Sequence, residues 1–479
     1  MRRPRLYSRR TRIVCTIGPS TGSSAMIEKL IKAGMNVARL NLSHGTLSEH
    51  ADYVQRIREA SQRLNTIVAV LLDLPGPKYR TGKLKNHKAV LKKGAYFTFT
   101  TEQIEGDASK VSVNLPDLPE DVKSGDTILL DDGAMELKVR QVQGNDVHCR
   151  VTAGGILTEE RGLVVPGMRH SGQFITDALR KAFSFAVSQD PDYLALSFVT
   201  SADDIKGFRK LMAEKNADIP VIAKIERGEA VENFGGILAV SDAIMVARGD
   251  LGVEIPLERV PMVQKEIIKK CNLAGKPVIT ATEMLESMVK STRPTRAEAT
   301  DVANAIFDGS DAIMLSEETS IGEHPLRVVD IMDRIAREAE KKLPYELALS
   351  EKKTWFPQKT EELIGYNACV TAHNLGARAI IAFTESGSTA GRVSKYRPHP
   401  AILAMTPDEV ICHRLILYWG VQPVLVARPS SISGLFDMAS ATARQLGLVK
   451  PGDLIVITGG IPLGLAGTTN LLKVQNIEE

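Results

Sequence analysis

Short runs of β-branched and aliphatic residues recur along this chain of 479 residues, and amphipathic helical stretches separate most of them. Runs that are apolar on both faces and alternate with helices are typical of a parallel sheet in the α/β class. The sequence predicts eight such strands, at residues 13–17, 37–42, 67–72, 193–198, 221–225, 243–247, 277–281 and 312–315. Eight β/α units favour a (β/α)8 TIM barrel, because a doubly wound open sheet would need a crossover pattern that the sequence lacks.

One interval breaks this rhythm, because about 120 residues separate the third strand from the fourth, far more than one helical crossover needs. Stretches within it alternate apolar and polar residues between Gly, Asp and Asn turns, which predicts an inserted all-β domain that acts as a lid. After residue 343 the chain becomes charged, and a new alternation of strands and helices begins. The predicted domains are the barrel at 1–76, the β-rich lid at 77–171, the barrel again at 172–345 and a C-terminal α/β domain at 346–479.

Charge and hydropathy exclude two classes of partner. The chain has 60 Lys and Arg against 57 Asp and Glu, a net charge of +3. A dedicated nucleic-acid binder usually carries a strong basic excess, so no nucleic-acid partner is expected. No apolar run approaches the ~18 residues of a membrane helix, so no membrane association is expected either.

The cysteines and the N-terminal arginines bear on the compartment. Five scattered cysteines without a C-x-x-C pair predict a reducing, cytoplasmic environment. The first twelve residues hold six arginines, which are Arg2, Arg3, Arg5, Arg9, Arg10 and Arg12. No apolar segment follows them, which excludes a secretory signal but leaves an organelle presequence open as the alternative.

Polar and charged residues follow seven consecutive predicted strands. Barrel enzymes carry their chemistry at the carboxyl ends of the strands. A lone charged residue there is usually solvated or ion-paired, but seven strands in succession predict a functional rim. The candidate residues are Arg39, Asn41, Ser43, His44, Asp73, Lys78, Arg80, Ser197, Lys224, Glu226, Arg248, Asp250, Thr282, Ser316 and Glu318.

The residue types at this rim indicate its chemistry. Glu226 and Asp250 are hard oxygen ligands that suit Mg²⁺ or Mn²⁺, although a salt bridge with Lys224 or Arg248 is the alternative. Lys224 could stabilise a transferring phosphoryl group, or form a Schiff base as in a class I aldolase. Arginines bind phosphate bidentately, and two of them, Arg39 and Arg80, lie among the candidates. An anionic, phosphorylated substrate is predicted.

A second anion site is predicted in the C-terminal domain. The segment 384–392, TESGSTAGR, follows a strand and opens a helix, where backbone N–H groups and hydroxyls can cradle an anion. It lacks the G-K-[ST] of a P-loop, and an ordinary capped helix start is the alternative. The candidate residues are Thr384, Ser386, Gly387, Ser388 and Thr389.

These segments together resemble the pyruvate kinase family over essentially the whole chain. The resemblance rests on TRIVCTIGPS, MNVARLNLSHG, VIAKIERGEAV, MVARGDLGVEIP, ITATEMLESM, PTRAEATDVANAIFDGSDAIMLSEET and FTESGSTA. It implies a barrel, an inserted β lid and a C-terminal α/β domain, assembled as a homotetramer. It also implies a glycolytic reaction with a divalent metal, in which phosphoenolpyruvate and ADP give pyruvate and ATP, and a phosphorylated allosteric effector.

The resemblance assigns the barrel residues individual roles. It implies that Arg39 contacts the substrate phosphate, that Lys224 stabilises the phosphoryl group in transfer, and that Thr282 lies where the enol carbon is protonated. These three are the predicted catalytic residues. It further implies that Glu226 and Asp250 hold the divalent metal. The remaining implied substrate contacts are Gly249, Ser316 and Glu318, and the implied nucleotide contacts are Asn41, Ser43, His44, Arg80 and Arg161.

One departure from the family concerns the monovalent cation. Potassium-dependent relatives use a site that matches Asn41, Ser43 and Asp73, with Thr at position 74 and Glu at position 78. This chain has Leu74 and Lys78. We therefore predict that the Lys78 ammonium supplies the missing positive charge beside Asp73 and that K⁺ is not required.

Two other functions fit the residues less completely. The first is another barrel enzyme that handles pyruvate or phosphoenolpyruvate, such as an aldolase. The second is a non-catalytic metabolite sensor that keeps the fold, although a sensor has no need of Lys224. The loop at 384–389 suggests a phosphorylated effector, but a sugar phosphate, a nucleoside monophosphate and no effector at all are left open by the sequence.

Overall fold

The computed structural model describes residues 9–354, 359–465 and 467–478. The chain begins with three strands, β1 (Arg12–Thr16), β2 (Val37–Asn41) and β3 (Ala69–Leu74). Between them lie helices α1 (Ser24–Ala33), which ends at Gly34, and α2 (Leu47–Leu64), which begins with a Thr46–Glu49 capping box. The third strand ends two residues later than predicted, because Asp73 pairs with Asn41 on one side and Leu74 with Leu196 on the other.

The insertion after β3 is a small β-sheet domain. Its strands are β4 (Tyr79–Arg80), β5 (Lys88–Leu91), β6 (Tyr96–Thr100), β7 (Lys110–Ser112), β8 (Thr127–Leu130), β9 (Met135–Gln143), β10 (Asp146–Ala153), β11 (Gly155–Thr158) and β12 (Gly162–Val164). Seven of them form a sheet in the order β4-β12-β8-β9-β10-β6-β7, and β5 pairs with β11. The alternation of buried and exposed residues along β9 produces a separate apolar core. One short helix, α3 (Leu118–Asp121), interrupts the strands.

The chain then returns to complete the barrel. Its strands are β13 (Tyr193–Leu196), β14 (Val221–Ile225), β15 (Ala243–Ala247), β16 (Val278–Ala281) and β17 (Ala312–Leu315). Its helices are α4 (Asp177–Ser188), α5 (Ala202–Glu214), α6 (Gly228–Glu232), α7 (Phe234–Val240), α8 (Arg248–Glu254), α9 (Val260–Ala274), α10 (Arg296–Phe307), α11 (Glu317–Ser320), α12 (Pro325–Glu340) and α13 (Tyr345–Glu351). The eight strands close in the order β1-β17-β16-β15-β14-β13-β3-β2, all parallel, which confirms the predicted (β/α)8 barrel.

The barrel strands explain where the rim residues come from. Val37, Leu71 and Ile222 belong to one buried cluster on a single face of the strands. Because side chains on one face of a strand recur every second residue, that same face presents Arg39, Asp73 and Lys224 two residues further on. The two-residue repeat that places apolar side chains in the barrel core therefore also places charged side chains at the carboxyl ends of the strands.

The last part of the chain is a parallel sheet with one antiparallel edge. Its elements are α14 (Thr360–Asn374), β18 (Ala379–Phe383), α15 (Ser388–Ser394), β19 (Ala401–Thr406), α16 (Glu409–Leu415), β20 (Val421–Leu425), α17 (Ile432–Gln445), β21 (Leu454–Gly459) and β22 (Leu471–Asn476). The strand order is β20-β19-β18-β21-β22, so the direction of winding reverses beside β18. Residues 355–358, within the charged segment that follows residue 343, lie outside the described residues.

Part of the N-terminal basic segment is built into the fold. Arg9 is buried and pairs with Asp333 at 2.8 Å, and the Arg10 guanidinium lies 5.3 Å from the ring centre of Trp419. Arg2, Arg3 and Arg5 lie outside the described residues, so the presequence alternative is untested. Within the part of the chain that the structure describes, no helix is long and apolar enough to cross a membrane.

Candidate active site

Asp73 is the centre of the charged cluster at the barrel mouth. Its side chain is 1% exposed, and its Oδ2 accepts hydrogen bonds from Nε and Nη2 of Arg39 at 2.8 Å each. Lys224 Nζ lies 3.3 Å from the same oxygen, and Ser197 donates its hydroxyl to Oδ1 at 3.1 Å. Burial raises the pKa of Asp73, but Lys224 and Arg39 outweigh it and hold the pKa below its usual value. The carboxylate is therefore the fixed counter-ion of two buried cations.

Lys224 lies between two carboxylates. Its Nζ is 2.8 Å from Glu226 Oε1 and donates to Ser197 Oγ at 2.8 Å, in addition to its contact with Asp73. Burial lowers the pKa of Lys224, but Asp73 and Glu226 reverse that effect and raise it above the usual value. A Schiff base requires a neutral amine, so this environment favours charge stabilisation over the aldolase chemistry considered above. The Lys224–Glu226 salt bridge is present as well.

Glu226 and Asp250 follow neighbouring strands and share an electrostatic environment. Burial raises the pKa of Glu226, and the charge of Asp250 raises it further against the opposing effect of Lys224. Burial also acts on Asp250, but Lys78 and Lys224 hold its pKa below the usual value. Glu226 Oε2 accepts the backbone N–H of Phe198 at 2.6 Å, which fixes its orientation. Two carboxylates whose charges act on each other in a buried site favour binding of a further cation.

The Lys78 ammonium does not lie where the sequence predicted it. Its Nζ is 2.6 Å from Asp250 Oδ1, whereas Asp73 contacts Arg39, Lys224 and Ser197. The reason is the path of the chain, which leaves β3 and turns at Gly76 so that Lys78 lies over the ring of Phe198, 5.3 Å from its centre. Lys78 therefore neutralises Asp250, and Asp73 is neutralised by the barrel itself.

Thr282 occupies a strained position at the end of β16. Its φ is +67°, a value that a β-branched residue rarely adopts. Its Oγ1 accepts the Gly249 N–H at 2.7 Å and donates to the Ala281 carbonyl at 2.6 Å. Arg248 donates Nη2 to the Thr282 carbonyl at 2.8 Å and pairs with Asp301 at 2.7 Å. The sequence analysis named Arg248 as a rim candidate and as an alternative ion-pair partner of the carboxylates, and it missed the role of holding the Thr282 peptide.

Ser316 directly follows β17, and Glu318 lies in the short helix α11 after it. Glu318 is fully buried, and its carboxylate accepts the Ser316 N–H at 2.6 Å and the Leu285 N–H at 3.1 Å. Burial raises the pKa of Glu318 above its usual value, which favours a group that can hold a proton. Ser316 Oγ is buried and makes no hydrogen bond within the described residues.

The predicted nucleotide residues lie partly on the barrel rim and partly on the lid. Asn41 Oδ1 accepts the Ser43 N–H at 3.2 Å at the barrel rim. His44 follows in the same loop, and burial and then Arg80 lower its pKa. Arg80 and Arg161 belong to the lid, where the strand that follows Arg161 pairs with β4. Their visible contacts are with the lid itself, to the Glu160 carbonyl at 3.1 Å and to Asp131 at 3.2 Å. Which of these residues contact a nucleotide stays a prediction.

The predicted anion loop lies at the reversal of strand order in the C-terminal sheet. Such a switch point at the carboxyl end of parallel strands is a common ligand site. A small cavity there is lined by Thr384, Ser388 and Thr389 from the loop and by Gly460 and Thr468 from across the sheet. Gly387, at φ +84°, begins α15, and Ser386 Oγ donates to Ser388 Oγ at 3.2 Å. Thr384 Oγ1 is buried without a hydrogen-bond partner in the described residues.

A (β/α)8 barrel with cations gathered around buried carboxylates at its mouth is typical of enzymes that act on phosphorylated anions. The barrel domain of pyruvate kinase matches residues 8–329, and the pyruvate kinase alpha/beta domain matches residues 362–475. The chain belongs to the pyruvate kinase family, and it is therefore a phosphotransferase.

Individual relatives agree with this assignment. The pyruvate kinases of Staphylococcus aureus strains USA300 and NCTC 8325 are each 47% identical to this chain over 469 residues, which cover 98% of this chain and 80% of the relatives. The crystal structure of a pyruvate kinase from Cryptosporidium parvum superimposes with a TM-score of 0.92 and 38% identity. That match covers 98% of this chain and 96% of the other.

Proposed function

We propose that this protein transfers the phosphoryl group of phosphoenolpyruvate to ADP, with a divalent metal, and releases pyruvate and ATP in glycolysis. The observation that carries the proposal is the pairing at the barrel mouth of two cations, Arg39 and Lys224, with two carboxylates beyond them, Glu226 and Asp250. Phosphoryl transfer needs positive charge around a phosphate and a metal beside it, and this arrangement provides groups for both.

The carboxylates fit a divalent metal. Glu226 and Asp250 are hard ligands, and a bound cation would offset both causes that raise the Glu226 pKa, burial first and then the charge of Asp250. No group of three or more metal-ligating side chains occurs among residues 9–354, 359–465 and 467–478, so substrate and water would complete the coordination. When bound, Mg²⁺ or Mn²⁺ supplies Lewis acidity at the substrate oxygens.

In the first step, the protein groups bind and orient the phosphate of phosphoenolpyruvate. Arg39 keeps its guanidinium fixed by donating Nη1 to Thr16 Oγ1 at 2.9 Å and Nε to Asp73. Lys224 is fixed by Ser197 in the same way. Groups that are already oriented lose little entropy when the phosphoryl group passes between them, so they stabilise its charge throughout an in-line transfer to an ADP oxygen.

In the second step, the enolate of pyruvate receives a proton at carbon. Thr282 is the candidate to position the proton donor, because Gly249 and Ala281 fix its Oγ1. Glu318 is linked to this region through Leu285 N–H and can retain a proton because burial raises its pKa. Ser316 Oγ, buried without a partner in the described residues, lies in the same segment and completes the proposed relay.

We propose that the inserted domain closes over this site as a lid, with the domain limits 1–76, 77–171, 172–345 and 346–479 given above. Arg80 and Arg161 are carried by the lid, so closure would bring them to the nucleotide and exclude water from the transferring phosphoryl group. The loop at 384–389 is the proposed site of a phosphorylated effector. A homotetramer follows from the family resemblance, and five buried, unpaired cysteines support a cytoplasmic location.

A coupled assay tests the function directly. Purified protein with phosphoenolpyruvate, ADP and Mg²⁺ should form ATP and pyruvate in equal amounts. The same assay with a panel of sugar phosphates and AMP should show activation by at least one of them. Turnover of phosphoenolpyruvate without ADP, or reduction by borohydride of a Lys224–pyruvate adduct, would contradict the proposal.

Metal dependence is expected at Glu226 and Asp250. Removal of divalent ions by EDTA should abolish ATP formation, and Mn²⁺ should restore it. In a titration followed by electron paramagnetic resonance, Glu226→Gln should weaken Mn²⁺ binding by about tenfold or more, since the charge of the ligand is lost. Glu232→Gln, at an exposed position on α6, is the matched control and should bind Mn²⁺ as the native protein does. Unchanged Mn²⁺ affinity in Glu226→Gln would place the metal elsewhere.

We also propose that the enzyme does not need K⁺. Lys78 neutralises Asp250, and Arg39 and Lys224 neutralise Asp73, so no uncompensated negative charge is left near Asp73 for a monovalent cation. Rates in tetramethylammonium chloride should rise less than about twofold when KCl is added. Lys78→Glu should create a dependence on K⁺. A native enzyme that is inactive without K⁺ is the contrary result.

A further inference from the structure

Arg227 is a buried cation that the proposed mechanism does not use. It follows Glu226 directly and precedes α6 as its N-cap residue, and its side chain reaches the backbone of Pro77 in the connection from barrel to lid. The residue is 5% exposed, and its Nη2 donates to the carbonyl of Pro77 at 2.7 Å. Its Nε and Nη1 have no hydrogen-bond partner among the described residues. Burying an arginine is costly, so its one strong contact identifies what it does.

The contact falls on the first connection between barrel and lid, residues 75–78. Lys78 N–H donates to the Gly76 carbonyl at 2.9 Å, which closes a tight turn around Pro77. Gly76 lies against the backbone just after β13, so closely that a Cβ at this position would be 2.1 Å from the Ser197 carbonyl oxygen. Arg227 therefore fixes the Pro77 carbonyl, at the centre of a turn that packs against the rim of the active site.

The aromatic ring of Phe198 connects Arg227 to Lys78. The Arg227 guanidinium carbon lies 5.4 Å from the ring centre, and Lys78 Nζ lies 5.3 Å from it. Phe198 itself has a φ of +59° and donates its N–H to Glu226. Phe198 consequently contacts both Lys78, in the first lid connection, and Glu226, the candidate metal ligand.

The returning connection of the lid is tied to the first. Tyr79, which follows Lys78, donates its hydroxyl to Asp121 Oδ2 at 2.6 Å, and His170 Nδ1 lies 3.1 Å from the same oxygen. The Ser171 N–H donates to Asp121 Oδ1 at 3.1 Å. His170 lies close enough to Arg227 that the guanidinium, after burial as the larger cause, lowers its pKa. Residues next to both lid connections thus form hydrogen bonds with Asp121, and Arg227 lies near one of them, His170.

We propose that Arg227 is a positioning residue that holds the base of the lid against the barrel, so that Arg80 and Arg161 on the lid reach the nucleotide. The proposal rests on the proposed function, in which the lid carries the nucleotide contacts. It assigns Arg227 an effect on phosphoryl transfer to ADP and no effect on the proton chemistry of pyruvate, which uses Thr282 in the barrel.

Two reactions of the same holoenzyme separate these effects. The first is ATP formation, with kcat and KM determined for ADP and for phosphoenolpyruvate. The second is exchange of the methyl protons of pyruvate in D₂O with Mg²⁺ and phosphate, followed by NMR. Arg227→Met should lower kcat/KM for ADP by about tenfold or more, while the exchange rate changes by less than about twofold. Arg227→Lys, which keeps one donor for the Pro77 carbonyl, should recover part of the loss.

A structural readout and a control complete the test. Amide hydrogen exchange of residues 75–80 should be faster in Arg227→Met than in the native protein, because the turn loses its anchor. Arg209→Met is the matched control, since Arg209 also donates to a backbone carbonyl, that of Val240 at 3.0 Å, but far from the lid connections along the chain. It should leave both reactions and the exchange of 75–80 unchanged.

The outcomes are distinguishable. Equal loss of both reactions in Arg227→Met and Arg227→Lys would mean that Arg227 acts on the barrel site, and no loss in either would mean that the lid base needs no anchor. Either result overturns the proposal. A native protein that forms no ATP but exchanges pyruvate protons overturns the proposed function instead, before any variant is compared.

Discussion

Replacing Lys224 by methionine is expected to lower kcat for ATP formation by about a thousandfold or more, because Lys224 is one of the two oriented cations, with Arg39, that are proposed to stabilise the charge of the transferring phosphoryl group. The native ammonium is held by Asp73, Glu226 and Ser197 within 3.3 Å. Methionine preserves the volume of the stem but removes the charge. The coupled assay at saturating phosphoenolpyruvate and ADP measures the effect.

The control for this variant is Lys181→Met, at an exposed position on α4. It should keep the native kcat. Mn²⁺ binding should persist in Lys224→Met, since Glu226 and Asp250 are unchanged and lose a competing cation. Activity within about tenfold of the native value would remove Lys224 from the reaction and reopen the question of which group stabilises the phosphoryl charge.

Replacing Asp73 by asparagine is expected to destabilise the barrel and to impair catalysis together. Asp73 is the counter-ion of Arg39 and Lys224, so its loss leaves buried positive charge uncompensated. The cost of breaking a buried pair is about 3 to 5 kcal/mol. We expect the lowest-temperature transition in scanning calorimetry to fall by several degrees, and kcat to fall by about a hundredfold as Arg39 and Lys224 lose their orientation.

The effect of pH gives an independent check on Asp73. Its folded-state pKa lies below the usual value, despite burial, because of Lys224 and Arg39. The stabilisation is therefore complete above the unfolded-state pKa of about 3.9 and is lost as the pH falls through the folded-state pKa. The difference in stability between native protein and Asp73→Asn should be largest at neutral pH and shrink in acid. Asp203→Asn, whose side chain is 85% exposed, should differ little from the native protein throughout.

Several features of the site were predictable because they follow from local periodicity. The strands β2, β3 and β14 are buried almost throughout, and the two-residue repeat of side chains along a strand places Arg39, Asp73 and Lys224 on the same face as the buried Val37, Leu71 and Ile222. That repeat can be counted directly in the sequence. The long interval between the third and fourth strands likewise predicted an inserted domain. The predicted β3 ended two residues too early, because a charged residue such as Asp73 after an apolar run is typical of the start of a loop. Only the pairing of Asp73 and Leu74 with the two neighbouring strands shows that β3 continues.

The partner of each charge was not predictable in the same way. Lys78 was expected beside Asp73, but its ammonium lies on Asp250, because the turn at Gly76 carries it across the mouth of the barrel. Arg248 and Arg227 lie within the motifs that contain the candidate metal ligands. Arg248 nevertheless donates a hydrogen bond to the Thr282 carbonyl, and Arg227 donates one to the Pro77 carbonyl. Spacing in the sequence contains no information about these contacts.

The amino-acid sequence by itself determined that this protein is a parallel barrel with an inserted β domain and a ring of charged groups at one end, because the periodicity of each strand and the alternation of strands with helices can be read along the chain. Only the tertiary structure decided which carboxylate neutralises which cation. That choice depends on how closure of the barrel and the two lid connections bring distant residues within about 3 Å, because the Coulomb energy of a pair depends on its separation and on how far the surroundings exclude water.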